Sequence, residues 1–115
     1  VLVHTTCLSA HALPAEARKS PTGRNDYVRS IIDVILPALA AESLADSCDV
    51  FCDRGAFEVE EARAILLRAR ELGMGLRLHA NELGHTGGAR LAAELGASSA
   101  DHLLFVDDDD RRALA

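Results

Sequence analysis

Two stretches, Ala69-Arg-Glu-Leu-Gly-Met-Gly-Leu-Arg-Leu-His79 and Ala92-Ala-Glu-Leu-Gly-Ala-Ser-Ser-Ala-Asp-His102, share one pattern: Ala-x-Glu-Leu-Gly, then five residues, then histidine. In both, a helix runs out at a glycine, the residue best suited to the left-handed position after a last helical turn. A short turn follows, and the chain becomes a strand with histidine at its C-terminal end. The repeat is one strand–helix unit long. Upstream, Val59, Ala62, Ile65, Leu66, Ala69 and Leu72 recur at three- and four-residue intervals, which predicts a helix with one apolar stripe. Glu58, Glu60 and Glu61 crowd its first turn, where negative charge suits the helix dipole.

The same alternation extends in both directions. Val1 to Leu8 is apolar and β-branched and reads as a first strand, with His4 packed inside it. Pro14 to Asn25 reads as a long loop, and Asp26 as the cap of a helix that Pro37 should kink or end. A second strand covers Cys48 to Asp53 and a third Gly75 to His79. A short helix from Ala89 to Leu95 closes at Gly96, and a fourth strand runs from Ala97 to about His102. Asp107 to Asp110 supplies an acidic first turn to a last helix; the spaced ligands and central glycine of a calcium loop are missing. Strands separated by helices pair in parallel, because a parallel partner requires a crossover. The fold class is therefore α/β, about half of a (β/α)₈ barrel, whose full form takes about 250 residues. The absence of an initial Met, with a last helix begun only near the end, suggests a piece of a longer protein.

Composition narrows the function. The 115 residues carry 12 basic and 18 acidic side chains, a formal charge of −6, without a basic cluster. Nucleic acids and anionic membranes both call for such clusters, so neither is expected as a partner. Aromatic residues are only 3%, too few for base-stacking platforms. No apolar run reaches the roughly 20 residues that span a bilayer, and no cleavable leader opens the chain, so a cytoplasmic enzyme is expected. Cys7, Cys48 and Cys52 are odd in number. Cys48 and Cys52 would stand roughly 13 Å apart on one strand face, beyond the reach of a disulfide; buried free thiols are expected.

Parallel strands place their C-terminal ends on one side, and in barrels that side carries the chemistry. His79 and His102 end two strands, His11 lies just beyond the first, and Glu82 follows His79 by three residues. Imidazole and carboxylate groups gathered there suit a metal that makes hydroxide available near neutral pH, with a carboxylate or second histidine moving protons. His85, in the glycine-rich loop, is expected to be a plain surface residue. That loop lacks the Lys-Ser/Thr ending of a phosphate-binding loop.

Four segments together, Thr5-Thr-Cys-Leu-Ser-Ala-His-Ala-Leu-Pro14, Asp49-Val-Phe-Cys-Asp-Arg-Gly-Ala-Phe57, Leu78-His-Ala-Asn-Glu82 and Ser99-Ala-Asp-His102, resemble the imidazolonepropionases of the amidohydrolase superfamily. The resemblance covers essentially the whole chain. It implies that residues 1–115 are part of a metal-dependent catalytic barrel. The implied reaction opens the ring of 4-imidazolone-5-propanoate to N-formimidoyl-L-glutamate in histidine degradation. It further implies one metal ion, zinc or iron, and a homodimer in the full-length protein. His79 matches a metal ligand. Glu82 matches a catalytic and substrate-binding carboxylate, His11 a substrate-binding histidine, and His102 a catalytic histidine beside the metal. Asn81 departs from the aspartate common at its position. The metal-binding His-x-His pair of an early strand and the Asp of a late strand are not in this chain. Two other readings fit the residues alone: another amidohydrolase acting on cyclic C–N bonds or a deaminase, and a non-enzymatic binding module with structural histidines. Because a catalytic zinc takes three protein ligands and the resemblance gives one here, the isolated 115-residue chain should neither bind metal tightly nor turn over substrate. Ring opening by the isolated chain, followed spectroscopically, would contradict this.

Overall fold

A computed structural model describes all residues from Val1 to Ala115. Four strands, β1 (Thr6–Ala10), β2 (Ser47–Cys52), β3 (Gly75–Ala80) and β4 (Ser99–His102), form one parallel sheet in the order β1-β2-β3-β4. Each strand is followed by helix: α1 (Ala15–Arg18) and α2 (Gly23–Ser30), continuing through a π-helical turn (Ile31–Ile35) into α3 (Leu36–Ala41); α4 (Val59–Glu71); α5 (Gly88–Leu95); and α6 (Asp108–Leu114). This is the βα alternation expected from the repeats, laid out as in half of a (β/α)₈ barrel.

Burial explains which side the helices cover. Along β3, Leu76, Leu78 and Ala80 are buried while Arg77 and His79 are half-buried. Register places Cys48, Val50 and Cys52 of β2 beside the buried set. These six join Ala62, Ile65, Leu66 and Ala69 of α4 and Leu91, Ala92 and Leu95 of α5 in one core. Successive strand residues point to opposite faces, so Asp49, Phe51, Arg77 and His79 share the other face. All three cysteines are free and buried.

Several boundaries differ from expectation. The first strand begins at Thr6, because Val1 to Val3 have no neighbouring strand and lie exposed. His4 is consequently not packed inside: its side chain is 55% exposed, with Nε2 3.1 Å from Ser47 Oγ. Pro14 to Asn25 is not all loop, since it folds α1 and the start of α2. Thr22, not Asp26, precedes the helix, and its hydroxyl donates to Asp26 Oδ2 at 2.9 Å. Pro37 neither ends the helix nor is preceded by a regular one. It occupies the first turn of α3, where a missing N–H is tolerated, and the wider π turn before it takes up the mismatch.

The β2–α4 connection is held from outside. Arg24 of α2 donates through Nε and Nη2 to both oxygens of Glu61, each at 2.6 Å, and through Nη2 to the Ala56 carbonyl at 2.7 Å. Glu61 also receives the Glu58 N–H at 2.9 Å, closing the first turn of α4. At α5 the constraint is steric. A Cβ on Gly88 would fall 2.8 Å from Ala80 Cβ and 3.1 Å from the Cys52 carbonyl oxygen, so only glycine lets α5 start this close to the sheet. Gly88→Ala should therefore destabilise the full-length protein by about 1–3 kcal/mol, measured as a lower midpoint in urea unfolding.

Candidate functional site

The polarity of the sheet brings the expected residues together. His79 is the penultimate residue of β3, paired with Phe51 of β2 on one side and Asp101 of β4 on the other. Its ring lies 4.9 Å from that of His11 and 5.2 Å from that of His102, centroid to centroid. His102 Nε2 is 3.3 Å from Glu82 Oε2. His11, His79, His102 and Glu82 thus form one continuous cluster at the C-terminal end of the sheet. All four are partly exposed.

Beneath this cluster lies a residue that the sequence reading did not assign to the site. Asp49 of β2 is 4% exposed, and its Oδ1 lies 2.9 Å from His79 Nδ1 and 3.2 Å from His11 Nε2. Burial pushes the Asp49 carboxyl up, but the hydrogen bonds with His11 and His79 outweigh it and hold the carboxyl below the usual aspartate value. The signal that could have found Asp49 is its place in the ladder: its partner is Arg77, so it stands diagonally behind His79 on the same face.

Two buried polar side chains fix the loop that carries Glu82. Asp53, just past β2, accepts the Glu82 N–H at 2.7 Å and the Leu83 N–H at 3.0 Å through Oδ2, and the Arg54 N–H at 2.7 Å through Oδ1. Asn81 is fully buried and left-handed, with φ +52°, a conformation asparagine tolerates better than most residues. Its Nδ2 donates to the Phe105 carbonyl at 2.7 Å and its Oδ1 accepts the Ala89 N–H at 3.1 Å. The amide therefore ties β3 to the chain beyond β4 and to the start of α5. Its donor bond is one that an ionised aspartate could not make.

His85 lies at the surface, as expected, with its side chain 52% exposed, but it is not without partners. Its Nε2 lies 2.8 Å from Asp110 Oδ2 and 3.2 Å from Asp107 Oδ2, joining the β3–α5 loop to the first turn of α6. The acidic run does open that helix, since Asp107 Oδ1 accepts the Asp110 N–H at 2.8 Å.

Two groups have ligand atoms close enough to enclose a cation: His11, Asp49 and His79, and His85, Asp107 and Asp110. At the first, His79 is also suited to coordination through its other nitrogen. With Nδ1–H directed at Asp49, the lone pair of Nε2 points away from the carboxylate, the arrangement usual for a metal-bound histidine. The donor chemistry of the cluster, imidazole and carboxylate, fits zinc or iron alike.

The chain is similar to curated proteins named imidazolonepropionase. It is 55% identical over 111 residues to that of Clostridium tetani (strain Massachusetts / E88). It is 45% identical over 116 residues to that of Shewanella pealeana, and 43% over 112 to that of Streptococcus gordonii. These alignments cover 96%, 98% and 96% of this chain, but 26%, 28% and 35% of the respective relatives. The chain thus spans between a quarter and about a third of the length of those relatives. No family model matches it. Across nearly its whole length, the chain is similar to a segment of the proteins named imidazolonepropionase.

Proposed function

We propose that this chain is part of the catalytic barrel of a metal-dependent hydrolase that converts 4-imidazolone-5-propanoate to N-formimidoyl-L-glutamate. Water adds to the ring carbonyl carbon, and the bond from that carbon to the ring nitrogen breaks. The carbonyl becomes a carboxylate, and the nitrogen leaves within the formimidoyl group. The observation that carries the reading is the contact of His11, His79, His102 and Glu82 at one end of the sheet. The names of the relatives support it.

In this reading His79 holds the metal through Nε2. The bound ion, zinc or iron, would supply a water acidified enough to react near neutral pH. Glu82 accepts the proton of the attacking water and returns it to the departing nitrogen, with its backbone held by Asp53 during the transfer. His102, 3.3 Å from Glu82, polarises the substrate carbonyl or relays that proton. His11 lies on the far side of His79 from His102 and holds the substrate. The other metal ligands come from strands outside this segment. The substrate is a small molecule; neither nucleic acid nor membrane takes part, and no helix is long and apolar enough to cross a bilayer. The full-length enzyme is proposed to be a cytoplasmic homodimer.

Glu82→Gln keeps the shape of the side chain and removes its basicity. In the full-length protein it should lower kcat by about 10²–10⁴-fold while leaving the bound metal in place. Turnover should be measured on imidazolone propionate beside cyclic ureas and aminopurines. Full activity in the variant would remove Glu82 from the chemistry. Preference for a cyclic urea or an aminopurine would move the protein to another reaction.

A further inference from the structure

We infer that Asp49 is the positioning residue of this site, a single carboxylate that selects the tautomers of His11 and His79 together. The inference deepens the functional reading above and rests on it. The geometry is specific: one oxygen, Oδ1, faces a ring nitrogen of each histidine, Nδ1 of His79 at 2.9 Å and Nε2 of His11 at 3.2 Å. An ionised carboxylate only accepts hydrogen bonds, and one oxygen has lone pairs enough for two donors. Both facing nitrogens must then carry hydrogen. A neutral imidazole protonated at one nitrogen has a free lone pair at the other.

The two histidines are therefore presented in opposite senses. His79 offers Nε2 and His11 offers Nδ1, each on the side of its ring away from Asp49. The first is a ligand atom for the metal. The second is an acceptor, and it suits a substrate that brings an N–H, as a cyclic amide does. A donor at that point of the substrate would find a partner, whereas a carbonyl oxygen would meet a lone pair.

Asp49 is placed for this task by the fold alone. It sits on β2 between β1, which leads into His11, and β3, which carries His79, its partner in the ladder being Arg77, two residues before His79. With 4% of its surface exposed, it is shielded from substrate by the rings above it. It touches no reacting atom and acts through its neighbours. This also separates it from a purely structural acid such as Asp53, whose hydrogen bonds all go to backbone N–H groups.

The test uses the full-length protein carrying this segment, labelled with ¹⁵N-histidine. In the metal-free wild type, the ring spectra should show His79 protonated on Nδ1 and His11 on Nε2. The reverse tautomer at either ring would overturn the proposal, whether or not any variant folds. Asp49→Asn, nearly the same in shape, puts a donor where only acceptors stood. It should weaken Zn²⁺ binding, read by competition with a chelator, by about 10–100-fold and also raise KM. His11→Ala should raise KM and leave Zn²⁺ affinity unchanged. Wild-type Zn²⁺ affinity and KM in Asp49→Asn would overturn the assignment. A wild-type protein without Zn²⁺ binding or ring opening would instead overturn the functional reading, and the tautomers would still decide on Asp49.

Discussion

The parallel ladder between β2 and β3 sets everything above it. Six consecutive residue pairs run in step from Ser47 and Gly75 to Cys52 and Ala80. Because successive side chains alternate between faces, that one register sends Cys48, Val50, Cys52, Leu76, Leu78 and Ala80 to the helices. It sends Asp49, Phe51, Arg77 and His79 to the opposite side. A slip of one residue would exchange the two sets, putting a carboxylate and an imidazole into the apolar core. Exclusion of those groups from the core is what holds Asp49 against His79, and the hydrogen bond between them follows from the register.

The strand ends add a second constraint. Asn81, His102 and Leu103 all have positive φ, in a conformation that costs a side-chain-bearing residue energy. The turns persist because bonds across them are numerous. Leu103 N–H reaches the Ala80 carbonyl at 3.1 Å and Phe105 N–H the Asn81 carbonyl at 2.9 Å, while the Asn81 amide answers with its own bond to Phe105. Asp53 does the same for the residues on either side of the Glu82–Leu83 peptide. Local backbone strain is thus offset by buried hydrogen bonds, and Glu82 and His102 stand on turns with little freedom to drift.

How far the sequence revealed this depends on the kind of signal each feature leaves. The repeat ending in His79 and His102 was visible because helix cap, turn and strand recur with fixed spacing. The four-unit alternation and the gathering of four site residues follow from it. Asp49 was hidden because β2 is buried on both faces: Ser47, Cys48, Asp49 and Val50 are all inaccessible, so no alternation of apolar and polar residues marks the inward side. Only its register against a strand bearing histidine reveals its place, and register is a tertiary fact. The surface position of His85 is legible, but its partners, Asp107 and Asp110, are not, because they lie beyond the next strand. His4 was misread because its apolar neighbours Val1 to Val3 mimic a strand but have no adjacent strand to pair with. At Pro37 the helical run continues, and the rule against proline inside helices cannot say whether a chain stops or widens into a π turn.

The separation of core from site has a further consequence. Apolar burial lies between the sheet and the helices, where Ile65, Leu66, Leu78 and Leu91 are essentially inaccessible. Asp49 and His79 lie across the sheet from it and contribute polar contacts instead of packing. Apolar packing and the polar cluster therefore draw on different faces of the same strands. Side chains at the mouth, such as Glu82 and His102, can differ without opening a cavity, whereas a change at Val50 or Leu78 would. Asp49 is the exception: it is as inaccessible as a core residue yet lies on the face of His79, so the polar cluster reaches into the buried part of the sheet through that carboxylate.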